Sequence, residues 1–297
     1  MAQAVERRAF AGTPSLVTKT LDFLRRWPVL PGAILGIMVI MAIFAPLIAP
    51  HPPLKANLHE RNAPPVWYDR GSWNHVLGAD PLGRDVLSRL IHGARISLMV
   101  VAVSLVSGMV VGTTLGLISG YFGGVVDEVV TRIVDMWLGL PFILVAMVIA
   151  VVVGTSLTTM MFMLALLAWT DFVRQIRAEV LRLKTSDYVS LARVSGASNL
   201  RIMLRHILPG VTGLIMVIAS LRVGTLILVE SFLSFLGAGI PPPTPTWGVM
   251  IAEGREYLRD AWWISFFPGV AICLTVTSLN FSGDWVRDYL DPRLRQL

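Results

Sequence analysis

Residues 96–122 read ISLMVVAVSLVSGMVVGTTLGLISGYF and contain no charged side chain. A helix crossing the hydrocarbon of a bilayer needs roughly 20 mostly apolar residues, whereas a helix on the surface of a soluble protein keeps one polar face. This stretch has the length and lacks the face, so it is read as a membrane span. Within it Gly108, Gly112, Gly116 and Gly120 recur at every fourth position, with Ser104 one step earlier. Residues at that interval share one side of a helix, and glycine there lets a neighbouring backbone approach, which is how membrane helices pack without a hydrophobic drive to associate. The four are expected helix-packing positions.

The whole chain agrees with that stretch. Of its 297 residues 55% are hydrophobic and 15% charged, with a mean hydropathy of +0.68; a soluble domain carries about 25% charged residues. One cysteine excludes an intrachain disulfide framework, and Cys/His zinc spacings are absent. A net charge of +6 would raise nucleic-acid binding in a soluble chain. Here basic loops flank apolar spans, so membrane topology explains the charge and no nucleic-acid partner is expected.

Six stretches are expected to cross: 29–49, 96–122, 133–154, 157–173, 207–236 and 261–281. The fold class is therefore all-α, a polytopic membrane protein. The stretch 29–49 is too long for the apolar core of a cleavable leader and is followed by Pro50, so it is read as a retained anchor. With the N-terminus inside, 16 Lys and Arg fall in inner segments and 8 in outer ones, the bias of a chain with both termini in the cytoplasm. The organisation follows: a cytoplasmic segment 1–28, the first span 29–49, an extracytoplasmic cap 50–95, a five-helix core 96–283 and a cytoplasmic tail 284–297. The core carries a basic, helix-like inner loop, 174–206. Spans 133–154 and 157–173 are joined by two residues and must form a tight hairpin.

Arg222 and Glu230 lie inside the fifth span, where a charge costs about 2.5–3.5 kcal/mol on insertion scales. Eight residues apart, they sit about 80° apart on a helix. Two readings stay open: a polar lining of a translocation path, or structural pairing with another buried group such as Asp135. No GxxxxGK[ST] loop is present, and none of the three lysines follows a glycine, so ATP is not bound by that motif. Catalytic signatures such as GxSxG and HExxH are absent as well, and the five histidines lack ligand spacing. Neither an enzyme nor a metal site is expected.

The inner loop draws attention instead. Residues 186–209 read SDYVSLARVSGASNLRIMLRHILP. Tyr188, Leu191 and Ala192 fall at helical spacing, Gly196 supplies a helix end, and Pro209 suits the first turn of the next span. A short helix with an apolar face outside the membrane must bury that face against a partner protein or lie on the lipid surface.

This loop resembles the signature of permease subunits in binding-protein-dependent ABC importers: Glu-Ala-Ala, a glycine four positions on, and a later Leu-Pro. Ala192, Gly196, Leu208 and Pro209 match it, while Ser190 and Leu191 stand in place of the glutamate and first alanine. Three further stretches resemble the second, or C, permease of the dipeptide/oligopeptide/nickel branch: 77–85 (LGADPLGRD) with Ser88 and Arg89, 233–248 (LSFLG and then PPTPTWG from Pro242), and 283–293. The likeness runs from about residue 28 to the end. It implies a homologous permease as heterodimer partner, two ATP-binding subunits carrying ATP and Mg, an extracytoplasmic solute-binding protein, and the bacterial inner membrane as location. It implies an ATPase-coupling role for the inner loop, with Asp187, Tyr188, Leu191, Ala192, Arg193, Gly196, Ala197 and Arg201 as coupling residues. Peptides are the expected cargo; nickel, glutathione and oligosaccharides share the signatures. An ATP-independent channel or secondary transporter is the rival, but it should show broken midplane helices in repeated halves, and no internal repeat is present.

Overall fold

The computed structural model describes residues 29–290, which fold as helices and their connections; the β-structure among them is one isolated bridge, Ala79 to Asp85. The expected segment 1–28 and the last seven residues of the tail lie outside the described residues.

The described residues open with α1, Val29–Ile43, which breaks at Phe44 before one further turn, α2, Ala45–Ile48. The expected span 29–49 is thus broken by Phe44 and Pro46. After the outer cap, α3 runs Val86–Phe122, 37 residues. It starts ten residues before the expected span because Asp85 caps it, its Oδ2 accepting from Ser88 N at 2.8 Å. Its first turns belong to the cap.

The expected span 133–154 is not one helix. It is two, α4, Gly124–Leu138, and α5, Phe142–Val153, bent by 85°. Pro141 is the cause: it lacks an N–H and pushes the residue before it out of helical conformation. α6 spans Leu157–Leu183, capped by Ser156, and continues well past the expected end at Val173. A short α7, Asp187–Val194, follows. α8 then runs Asn199–Phe235, with π-helical winding over Ile202–Ile207. The inner loop therefore shrinks from 174–206 to 184–198. Pro209 sits inside α8 rather than at its start; the wider winding before it carries Leu208 N to Met203 O. An eight-residue α9, Trp247–Gly254, lies between α8 and α10, Trp263–Leu290. α10 passes the expected boundary at 283.

Four helices among the described residues are long and apolar enough to cross a membrane: α3, α6, α8 and α10; the bent pair α4–α5 makes a fifth. The tightest seam joins α3 to α6. A Cβ on Gly108 would come 2.7 Å from Ala168 Cβ, one on Gly112 would strike the Trp169 carbonyl and Phe172, and those on Gly116 and Gly120 would meet Val173 O and Val180. Ser104 extends the seam, its Oγ donating to Met161 O at 3.0 Å. The inner end is closed by Arg177, whose Nη2 meets Asp127 Oδ2 of α4 at 2.6 Å, and by Lys184 Nζ on Gly120 O at 2.9 Å.

Candidate functional site

The inner connection leaves its interactions unfinished. α7 turns Val189 and part of Ala192 into an apolar cluster with Ile202, Ile207 and Phe172. Its opposite side exposes Tyr188, Leu191 and Val194, the last two 67% and 88%. Asp187, Arg193, Gly196 and Arg201 are exposed and Ala197 is half-buried. The helix ends in a Schellman turn: Ala197 N donates to Ala192 O and Gly196 N to Arg193 O, with Gly196 at φ +80. A Cβ at Gly196 would meet nothing within 4 Å. Glycine is there for its left-handed backbone, not for a close approach within this chain. Tyr121 Oη, donating to Asn199 Oδ1 at 2.8 Å, ties the connection to the end of α3.

The outer cap pairs its charges within the chain, although Arg89 Nε and Nη2 are buried without a hydrogen-bond partner. Asp80 is fully buried and accepts from Arg84 Nε and Arg89 Nη1, both at 2.5 Å. Both arginines reach Glu253 of α9, at 3.0 and 2.7 Å. The stretch 233–248 meets the start of α3, since Trp247 Nε1 donates to Leu90 O, and folds back on the end of α8, where Gly248 packs on Ser231. His75 is 5% exposed, with Nδ1 3.1 Å from Asp85 Oδ1 and Nε2 3.0 Å from Glu60 Oε2. Only an imidazolium donates from both nitrogens. Burial works against that charge, but Glu60 and Asp85 outweigh it, and the pKa of His75 is raised above the ordinary histidine value. The hydrogen bond from His75 lowers that of Glu60. Glu253 also borders a cavity of about 410 Å³ at the outer end of α8, walled by Ser234, Gly239, Pro242 and Arg255.

The two charges of the fifth span have different fates. Arg222 is about one-third exposed and pairs with Asp171 of α6, not with Asp135. Asp171 was visible at the edge of the fourth span, and an opposite charge at membrane depth is the signal that names a partner. Glu230 is fully enclosed, accepting from Ser97 of α3 at 3.3 Å and from Ser231 and Ser234 at 3.2 Å. Hydroxyls rather than a cation satisfy it. The serines of α3 and α8 passed unnoticed because single hydroxyls in apolar spans carry no pattern.

Comparison with known proteins now has a geometry to attach to. A profile of the binding-protein-dependent transport system inner membrane component family matches residues 112–296, and one of the N-terminal TM domain of oligopeptide transport permease C matches residues 26–65. The dipeptide transport system permease protein DppC of Escherichia coli K12 is 42% identical over the whole of both chains. The di/tripeptide permease DppC of Pseudomonas aeruginosa is 38% identical over 96% of each, and the Bacillus subtilis DppC 39% identical over 89% of this chain and 81% of its own. An inward-facing structure of the MetNI methionine ABC transporter is 21% identical with a TM-score of 0.55, covering 68% of this chain and 96% of that one. This chain belongs to the binding-protein-dependent transport inner-membrane component family: it is a multi-pass permease subunit of an ABC importer. Within that family it falls in the C-type branch.

Proposed function

We propose that this chain is the C-type permease of a peptide importer, forming the translocation path with a homologous permease. Similarity to dipeptide and di/tripeptide permeases across essentially the full length supports the cargo class. The partners would be two ATP-binding subunits, in which ATP and Mg reside, and a solute-binding protein outside; this chain hydrolyses nothing itself. The observation that carries the coupling role is the helix α7, seated on the bundle by Val189 while Tyr188, Leu191 and Val194 face solvent. A helix so placed is completed by a cleft in another protein. Movement of that cleft on ATP binding would push α7, and the rigid seams to α3 and α6 would tilt the spans between two states.

Both termini and the connection 184–198 lie in the cytoplasm in this reading, and the cap 50–85 outside. A cysteine at Asn57 is then labelled by an impermeant reagent from outside and one at Ser198 only after permeabilisation, with Cys273 first removed. Arg222, partly exposed with Asp171, faces the path, whereas Glu230, enclosed by serines, joins α3 to α8. The whole reading is tested by uptake: a strain lacking its own dipeptide permeases should import labelled dipeptide when this chain and its partner subunits are supplied, and copurification should bring down the ATPases. Uptake of nickel without peptide uptake would replace the cargo; absence of ATPases would remove the coupling role.

A further inference from the structure

A groove of about 360 Å³ opens between the inner half of α3 and the first turns of α8, walled by Met109, Val110, Leu117, Leu200, Leu204 and Leu208. We infer that this groove binds one anionic phospholipid of the inner leaflet, an acyl chain lying in the groove and the phosphate resting on Arg201 and Arg205. The inference rests on the cytoplasmic assignment of the 184–198 connection.

The walls are apolar, and at membrane depth such a groove is filled by lipid or by protein. A partner helix has a broader face available on α5, where Leu144, Val148, Val151 and Val152 are exposed together. The rim decides which lipid. Arg201 and Arg205 do not line the groove; each is the exposed residue after a wall-forming leucine, Leu200 and Leu204, from which a long side chain can reach its edge. Among the described residues neither guanidinium has an ionic or hydrogen-bonding partner, whereas Arg177 and Arg182 on the same side are held by Asp127 and Glu179. Two free guanidinium forks about one turn apart match a phosphate, and basic pockets between helices at the cytoplasmic leaflet bind anionic headgroups. The π-helical winding at Ile202–Ile207 coincides with the rim, and such local unwinding is frequent at functional positions.

The test uses the whole importer, permease pair with ATPases, extracted in mild detergent, exposed to phosphatidylglycerol or phosphatidylcholine and weighed by native mass spectrometry. Phosphatidylglycerol should be retained in preference. Arg201→Gln and Arg205→Gln should each lower its retention about fivefold, and the pair about thirtyfold, from the attraction of one basic residue to an anionic surface. Thr114→Trp, on the α3 wall, should abolish retention with both arginines intact. Equal retention of the two lipids, wild-type retention in the double variant, or efficient cross-linking of a Leu204→Cys variant to the homologous permease would overturn the site. The ATPase content of the same samples separates the two readings. Arg205→Gln should lose lipid and keep ATPases, whereas Leu191→Gln on the exposed face of α7 should lose ATPases and keep lipid; ATPases kept by Leu191→Gln would unsettle coupling alone.

Discussion

The outer cap and the inner connection are both built from loops between spans, yet they solve opposite problems. In the cap Asp80, Arg84, Arg89 and Glu253 neutralise one another, and His75 is held between Glu60 and Asp85. In the connection, Leu191 and Val194 face solvent, and Arg201 and Arg205 have no side-chain partner among the described residues. A region that satisfies its own charges serves as a lid that holds its shape. One that leaves apolar surface and charge unpaired is finished by something else, which we propose to be a partner subunit and a lipid.

The contrast breaks most visibly at Arg89. Arg89→Met should leave Asp80, fully buried, with Arg84 as its remaining ionic partner at a cost of about 1.5–3 kcal/mol, seen as a drop in the melting temperature of the purified complex; an unchanged melting temperature would mean that the cap is not self-sustaining. In the connection, Gly196→Ala forces a Cβ into a left-handed backbone and should cost about 1–2 kcal/mol. Its effect on melting should exceed that of Ser195→Ala, because the strain is conformational and the surrounding space is open.

A smaller effect should come from pH. The raised pKa of His75 means its contribution is fully present below the unfolded value near 6.5 and is lost as pH rises through the folded value. Wild-type stability should therefore fall as pH rises above the unfolded value near 6.5, and His75→Gln should remove that slope; an identical slope in both proteins would exclude His75 as its source. The least change in stability belongs to Leu191→Gln. An exposed side chain away from packing alters stability by under about 0.5 kcal/mol, so melting should hold while ATPase copurification falls. If copurification is unchanged, the exposed face of α7 is not the docking surface.

The sequence signals were strongest where one property acts alone. The glycine series of 96–122 lies on the side of α3 that touches α6, since small residues at that interval let a neighbouring helix approach. Hydropathy was weaker at helix ends. It marked the end of the apolar stretch at Val173, but α6 continues to Leu183, since a helix leaving the membrane turns polar without unwinding. The same limit hid the 85° bend at Pro141: proline is tolerated within membrane helices, as Pro268 in α10 shows, so its presence alone does not reveal a break. The outer stretch 77–85 was recognisable as a motif, but not that it closes on Glu253 from residues more than 160 positions away.

What the sequence by itself determined was the solvent and the class. Long uncharged stretches partition into hydrocarbon regardless of their neighbours, and the loop and cap motifs carry the family. What only the tertiary structure decided was the choice among partners. Arg222 had several acids within the chain to pair with and meets Asp171, while Glu230, in the same helix, is satisfied by hydroxyls. Pairing depends on distance across the bundle, and distance is set by how close the glycine seam lets α3 and α6 come, a quantity that no single stretch of sequence contains.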